Sequence, residues 1–485
     1  MYVLAIDEGT TGVRAMVFDR HSVLLGSAYE EINAAFPRPG WMEQDPLHIW
    51  EATKRVAGDA LRSARLAPRD LAAIGIATQR ATTVVWERST GKPIYPAISW
   101  QDIRTAERVA ELLGQGVFTN TMASATKLEW VLRERGRAPA GALCFGTLDS
   151  WLVWQLSGGR VHVTDHSNAS CTGLYDFLTG GWDATVIGHL GIPEAILPAI
   201  APSSHRYGET DPQVFGAAVP LAGLAGDQQA AMFGELGVDV GAVKVTFGTS
   251  AMIDVNTGDM PVLSLRGAYP LILWGLGHER RYCLEGTVMT AGAAVQWLRD
   301  GLGAIANAAE CGPLASSVPD SAGVWAVPAF QGLGTPYMDP AGRAVIGGIS
   351  RGTGRAHVVR AVLEGIVYRT REALDALLGD AHAARPERLR VDGGMAANDV
   401  FLQCLADVLG SPVERPETVQ ATALGVAYLA GMGAGVWNGI DDVRGAWRSG
   451  GIFAPRVGTD EREGRFAAWQ RAVAAAQLGP GPRGA

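Results

Sequence analysis

Apolar and polar positions alternate along Val3–Asp19 (VLAIDEGTTGVRAMVFD) and again along Val243–Val255 (VKVTFGTSAMIDV). Each stretch places two β-branched, apolar runs around a Gly-Thr-Thr or Gly-Thr-Ser, a pattern that predicts a β-hairpin with a short turn. Further strands are predicted at Ile74–Ala77, Thr83–Trp86 and Leu221–Ala225. Helical spacing emerges over Asp102–Leu113, where Ile103, Ala106, Val109 and Leu113 would share a face. Thr147–Leu156 is apolar on several sides, which predicts a buried helix. A long helix is predicted over His357–Leu378, and a shorter one carries Phe401, Leu402, Leu405 and Leu409. Asn398 or Asp399 would cap the latter and Gly410 would stop it. Thr422–Ala430 reads as a helix that Gly431–Gly435 then loosens, and Phe36–Trp41 as strong turn punctuation. The tail Gly479–Ala485 has the glycine and proline content of a disordered end. Strands alternating with helices in both halves predict an α/β fold. The repeated hairpin divides it into two related domains, 1–235 and 236–485.

A chain of 485 residues with 47% hydrophobic and 19% charged positions has the balance of a well-packed globular protein. Its net charge of −8 and the lack of any lysine- or arginine-rich stretch argue against a nucleic-acid partner. No run approaches the length of a membrane span, and Asp7 breaks the N-terminal apolar run well short of a signal-peptide core. The five cysteines are scattered without a CxxC pair, which points to a reducing, cytoplasmic compartment rather than a disulfide framework or zinc site.

The candidate chemistry lies where strands end. A hairpin turn presents N–H groups and hydroxyls that can hold phosphate oxygens, although a single Gly-Thr-Thr is more often only a turn. Asp7, directly before Glu8-Gly9-Thr10-Thr11, is placed to hold Mg2+ beside phosphate or, more plainly, to cap the turn. Asp227 follows the apolar stretch Leu221–Ala225. It could take a proton from a hydroxyl nucleophile or serve as a helix N-cap, and no salt-bridge partner is visible nearby in sequence. Small residues at Thr290–Ala293 would admit a flat ligand or a second backbone, and Gly393-Gly394 before a capped helix suits an anion. The Walker pattern GxxxxGK[ST], the GxSxG elbow and histidine metal motifs are absent from the sequence.

Taken in order, these features resemble the FGGY carbohydrate kinases, and among them the glycerol kinases, over essentially the whole chain. The resemblance rests on Pro39-Gly40-Trp41, Ile74–Arg80, Thr90–Tyr95, Arg160–Ser170 (RVHVTDHSNAS), Ala225–Ala231 (AGDQQAA) and Val391–Gly394 (VDGG). Two signature-like regions, Met122–Glu134 and Ala344–Glu364, add to it. It implies two actin-like (ribonuclease-H-like) α/β domains around a cleft and a homodimer or homotetramer. The implied reaction is ATP-dependent phosphorylation of a terminal hydroxyl of glycerol, with Mg2+. By the same resemblance Asp227 is the base, and Arg80, Trp100, Asp227 and Gln228 line the polyol pocket. Asp7 serves the metal, and Thr10, Thr11 and Arg14 meet the phosphates. Thr249, Gly292, Gln296, Gly394 and Asn398 form the rest of the nucleotide site. Alternatives are an FGGY kinase for another small polyol or ketose, and a non-catalytic actin-like nucleotide-binding regulator.

The chain departs from the glycerol kinase pattern at three places. Gln-Arg-Glu-Thr-Thr becomes Gln79-Arg80-Ala81-Thr82-Thr83, which deletes a carboxylate that accepts hydroxyl hydrogen bonds. Asn120–Thr126, before Lys127, has no counterpart of the usual substrate tyrosine, and Met252 stands where an aromatic is expected. Losing one paired hydroxyl contact costs about 1–3 kcal/mol in a buried site, so three such changes could redirect the substrate.

Overall fold

The first hairpin forms where the alternation predicts it, as β1 (Tyr2–Gly9) and β2 (Gly12–Asp19), with Thr10 and Thr11 as the two-residue turn. Gly12 is needed there because a Cβ would lie 2.6 Å from the Tyr29 ring. The computed structural model describes residues 1–134, 141–418 and 420–478, so the expectation for the tail Gly479–Ala485 lies outside the described residues. The described chain divides into two compact units. One comprises Met1–Leu236 with Leu271–Arg281 and Thr422–Trp447, and the other comprises Gly237–Pro270, Tyr282–Ala421 and Arg448–Ala485.

In the first unit, β1 and β2 join β3 (Leu24–Glu31), β4 (Leu71–Thr78), β5 (Ser204–Glu209) and β6 (Pro220–Gly226), in the order β5-β6-β4-β1-β2-β3. β1, β4 and β6 are parallel, with Glu8 opposite Thr78 and Thr78 opposite Gly226. Three strand ends are therefore level, the place where open parallel sheets bind ligands. Helix α1 (Pro46–Ala64), capped by Asp45, buries Ile49, Val56 and Leu61 in the same core as Leu4, Ile6 and Ile74. The buried helix expected over 147–156 is α2 (Leu148–Leu156), whose Trp151 and Trp154 pack edge-on to Trp86.

Two expectations need correction. The helix of Asp102–Leu113 begins only at Ala106, and Ile103 and Leu113 are 52% and 48% exposed. Residues 102–105 instead form a polar corner, because the Asp102 carboxylate accepts from Met42 N and Arg104 while Ile103 N reaches Gly40 O. The helix of Thr422–Ala430 continues to Gly433 through the glycines expected to loosen it. Those glycines serve contact rather than freedom. The helix lies directly on the sheet: a Cβ on Gly223 would be 2.5 Å from Ala430 N, one on Gly433 would be 2.5 Å from Ala222 O, and one on Gly75 would strike Val426 O.

The second unit repeats the hairpin as β7 (Val243–Phe247) and β8 (Ala251–Gly258). With β9 (Glu279–Val288), β10 (Leu389–Asp392), β11 (Val413–Pro416) and β12 (Ser449–Phe453) the order is β12-β11-β10-β7-β8-β9. One face of this sheet (Val243, Val245, Phe247, Ile253, Val255) is apolar and shares a core with Val359, Val362, Ile366, Leu374 and Leu378 of the long helix Arg355–Asp380. On the other face Glu414, Arg390, Lys244, Asp254 and Glu285 stand in cross-strand register, with Lys244 and Asp254 paired at 2.8 Å. The two cations stand side by side and each pairs with the carboxylate on its other side, Arg390 with Glu414 and Lys244 with Asp254. Among the described residues no helix is long and apolar enough to cross a membrane.

Candidate active site

The level ends of β1, β4 and β6 deliver Asp7, Gln79-Arg80 and Asp227 to one edge of one sheet. Asp227 opens helix α3 (Asp227–Gly234), whose N-cap is Gly226, so Asp227 is not the cap itself. Its carboxylate accepts from Gln228 N at 2.7 Å and pairs with Arg80 Nε at 3.3 Å, a partner that the sequence kept out of view. Asp7 is a strand residue directly opposite Arg14, and the Arg14 guanidinium lies 5.1 Å over the Tyr29 ring.

Glu8 follows Asp7 on β1. Glu8 is wholly buried, its Oε1 accepts from Gln79 Nε2 at 3.0 Å, and its Oε2 has no partner among the described residues. Burial drives its carboxyl well above the usual range, and although the Gln79 hydrogen bond opposes this, the charges of Asp7 and Asp227 push the same way as burial. Both carboxylates therefore act on one buried point.

The pocket wall is tied to the turn by a chain of hydrogen bonds. Gln79 Nε2 also donates to Gln44 Oε1 (3.1 Å), Gln44 Nε2 donates to Thr10 O (2.9 Å), and Trp100 Nε1 donates to Thr10 Oγ1 (3.0 Å). Thr82 Oγ1 donates to Gln79 Oε1 and accepts from Trp100 N, at 2.9 and 3.3 Å. Thr10, Arg80, Trp100, Asp227 and Gln228 thus belong to one constellation, while Thr11 is exposed at the hairpin tip. Gln44, Thr82 and Glu8 were missed because nothing in local spacing marks a residue that works through a neighbour's amide.

In the second unit, Thr249, Gly292, Gly394 and Asn398 stand at strand and helix ends. Gly292 opens helix α4 (Gly292–Asp300), and its N–H donates to Gly248 O at 2.9 Å, where a Cβ would lie 2.6 Å from that oxygen. The backbone of Gly248 approaches closely here. Gly393 likewise lies against Phe247 O, whereas a Cβ on Gly394 would meet nothing. Asn398, not Asp399, caps helix α5 (Asp399–Leu409), accepting from Val400 N and Phe401 N at 3.1 and 3.2 Å. Gln296 is exposed one turn into α4, and Thr249 is exposed in the turn.

The model of the FGGY family of carbohydrate kinases, N-terminal domain, matches residues 2–234, and that of its C-terminal domain matches residues 243–434. The chain belongs to the FGGY family of carbohydrate kinases. Among its relatives, the glycerol kinase of Symbiobacterium thermophilum is 47% identical over 97% of each chain. Glycerol kinase 2 of Thermotoga maritima is 46% identical over 97% of this chain and 98% of its own. The Plasmodium falciparum glycerol kinase, crystallised with ADP, superimposes with a TM-score of 0.90 at 30% identity over 98% of each chain. As an FGGY kinase the protein has the family's two actin-like α/β domains and is an ATP-dependent carbohydrate or polyol kinase. Ala81 has φ 60°, is 4% exposed, and its carbonyl accepts from Ser124 Oγ at 2.9 Å.

Proposed function

We propose that this FGGY kinase phosphorylates a terminal hydroxyl of glycerol, giving sn-glycerol 3-phosphate, in the cytoplasm and as a homodimer or homotetramer. The observation that carries the reading is the Asp227 carboxylate held by Arg80 at 3.3 Å on the strand-end edge that also bears Asp7. The glycerol kinases that match the whole chain support the substrate. Five free cysteines agree with a reducing compartment.

In this mechanism Asp227 takes the hydroxyl proton as the oxygen attacks the γ-phosphorus of ATP, and ADP leaves with the electrons of the broken P–O bond. Arg80 and the Gln228 amide orient the carboxylate. Trp100, fixed through Thr10, offers an apolar face to the carbon chain. Thr10, Thr11 and Arg14 receive phosphate oxygens, and Thr249, Gly292, Gln296, Gly394 and Asn398 hold the nucleotide. The half-buried Asp7, one of two carboxylates acting on Glu8, suits a hard dication that prefers one or two carboxylates plus phosphate. Mg2+ bound there would neutralise phosphate charge.

Buried Ala81 favours a second reading, a different small polyol or ketose, because the family's glutamate acceptor is gone. ADP release over a panel of polyols and sugars, with Asp227→Asn as control, decides. Glycerol as the best substrate and a loss of at least about 100-fold in Asp227→Asn are expected. Faster turnover of another compound would replace glycerol, and an active Asp227→Asn would remove the base.

A further inference from the structure

The stretch Arg160–Ser170 carries much of the family resemblance, yet none of its residues enters the mechanism above. We infer that Ser167, locked by Asp165, is a positioning residue that sets the backbone on which Asp227 stands. The inference rests on the proposed role of Asp227 as base.

Asp165 is wholly buried. Its Oδ2 accepts from Ser167 N (3.0 Å), Ser167 Oγ (2.8 Å) and Ser203 Oγ (2.6 Å), and its Oδ1 accepts from Asn168 N and Nδ2 (3.0 Å each). Five donors on one buried carboxylate leave it little freedom, and they dictate the direction of every bond around it. The single proton of the Ser167 hydroxyl is committed to Asp165, so the oxygen presents only lone pairs elsewhere. Gly226 N donates into them at 2.8 Å. Gly226 is the N-cap of α3, the residue immediately before Asp227. A cap residue normally fixes its helix end through its own side chain, but Gly226 has none. Nor could it carry one, since a Cβ would lie 2.6 Å from Gln229 Oε1 and 2.8 Å from the Arg80 side chain. The brace comes from outside, through Ser167.

The same helical turn reaches the second half of the ion pair. Asn168, oriented by giving its Nδ2 hydrogen to Asp165, accepts from Thr78 Oγ1 at 3.4 Å, the outer limit of a hydrogen bond. Thr78 ends β4, ahead of Gln79 and Arg80. Two strand ends that must hold Arg80 and Asp227 in mutual reach are thus both referred to one buried carboxylate. Displacing a reacting group by about 1 Å can cost about 100-fold in rate, so a brace at this point controls turnover without touching substrate.

The test compares Ser167→Ala, Ser167→Thr and Asp227→Asn by steady-state kinetics on the best substrate of the panel, with circular dichroism as the folding check. In Ser167→Ala kcat should fall about 10- to 100-fold while the KM for the alcohol moves less than about 3-fold. Ser167→Thr, which keeps the hydroxyl, should stay within about 5-fold of wild type. Added to Asp227→Asn, Ser167→Ala should lower the residual rate no further, because both changes act on the same group. A folded Ser167→Ala enzyme with wild-type kcat overturns the inference, as does a full multiplicative loss in the double variant. Should Ser167→Ala fail to fold, Ser167→Cys takes its place: a kcat below that of Ser167→Thr supports the brace and equal values overturn it. If Asp227→Asn itself turns over at the wild-type rate, the base assignment falls, a result distinct from a silent Ser167→Ala.

Discussion

An ammonium group whose acceptors are backbone carbonyls alone is hard to keep charged inside a protein. Lys127 is such a group: it is fully buried and donates to Ser99 O at 2.8 Å and Met122 O at 3.2 Å. Through these two bonds it joins the segment that carries Trp100 to the one whose Ser124 holds the Ala81 carbonyl. Burial lowers its pKa to about 7, against a smaller upward pull from Asp102. Between that value and the ordinary lysine range the unfolded chain holds a proton that the folded one has released, so stability rises with pH and is lost as pH falls through about 7. The urea stability of wild type minus that of Lys127→Met should therefore rise by about 2–3 kcal/mol from pH 6 to pH 9. A difference that is flat or falls over that range would contradict the assignment. Lys127 also shows what sequence discloses at this scale. Asp7, Thr10 and Asp227 were legible because each sits at a strand end beside a recognisable turn. The Arg80–Asp227 pair, Glu8 and the Ser167 brace were not, because their partners are brought together only by the sheet register.

Elements were read well where one face does one job. The hairpins, the long helix and the buried tryptophan helix follow from alternation and helical spacing alone. The reading failed at Ile103, where apolar spacing continued into a corner governed by Asp102 and Arg104, and at the glycines of Ala421–Gly433. Glycine in a helix normally signals weakness, about 1 kcal/mol against alanine. Here the sign reverses, because a Cβ on Gly425 would collide with the Ala230 carbonyl, inside the helix that Asp227 opens. Gly425→Ala, a gain on helix propensity alone, should instead destabilise by about 3 kcal/mol or more and depress kcat along with Tm. A melting temperature equal to or above wild type would show that the two helices can part without loss.

At the scale of the molecule, the hairpin repeat predicts two related domains, but not that each compact unit is assembled from three separated segments, the first with its third segment at Thr422–Trp447. The helix from the third segment buries Leu424, Val426, Tyr428 and Leu429 at 3% exposure or less, and each such side chain contributes about 2 kcal/mol. A fragment of residues 1–236 should therefore show no cooperative thermal transition by calorimetry, and adding residues 271–281 alone should not restore one. A sharp melt from the short fragment would mean that the later segments are ornaments on a finished unit.

The same threading sets a timetable for the newborn chain. Asp7, Arg80 and Asp227 leave the ribosome in its first half, but the small-residue strip of the sheet stays bare until residues 422–447 emerge. At about 5–20 residues per second the wait lasts on the order of ten seconds or more, with the residues of the candidate site already translated and not yet able to settle. Anything that slows elongation between those points lengthens the interval in which chaperones, rather than the protein's own interior, must keep that strip from sticking to its neighbours.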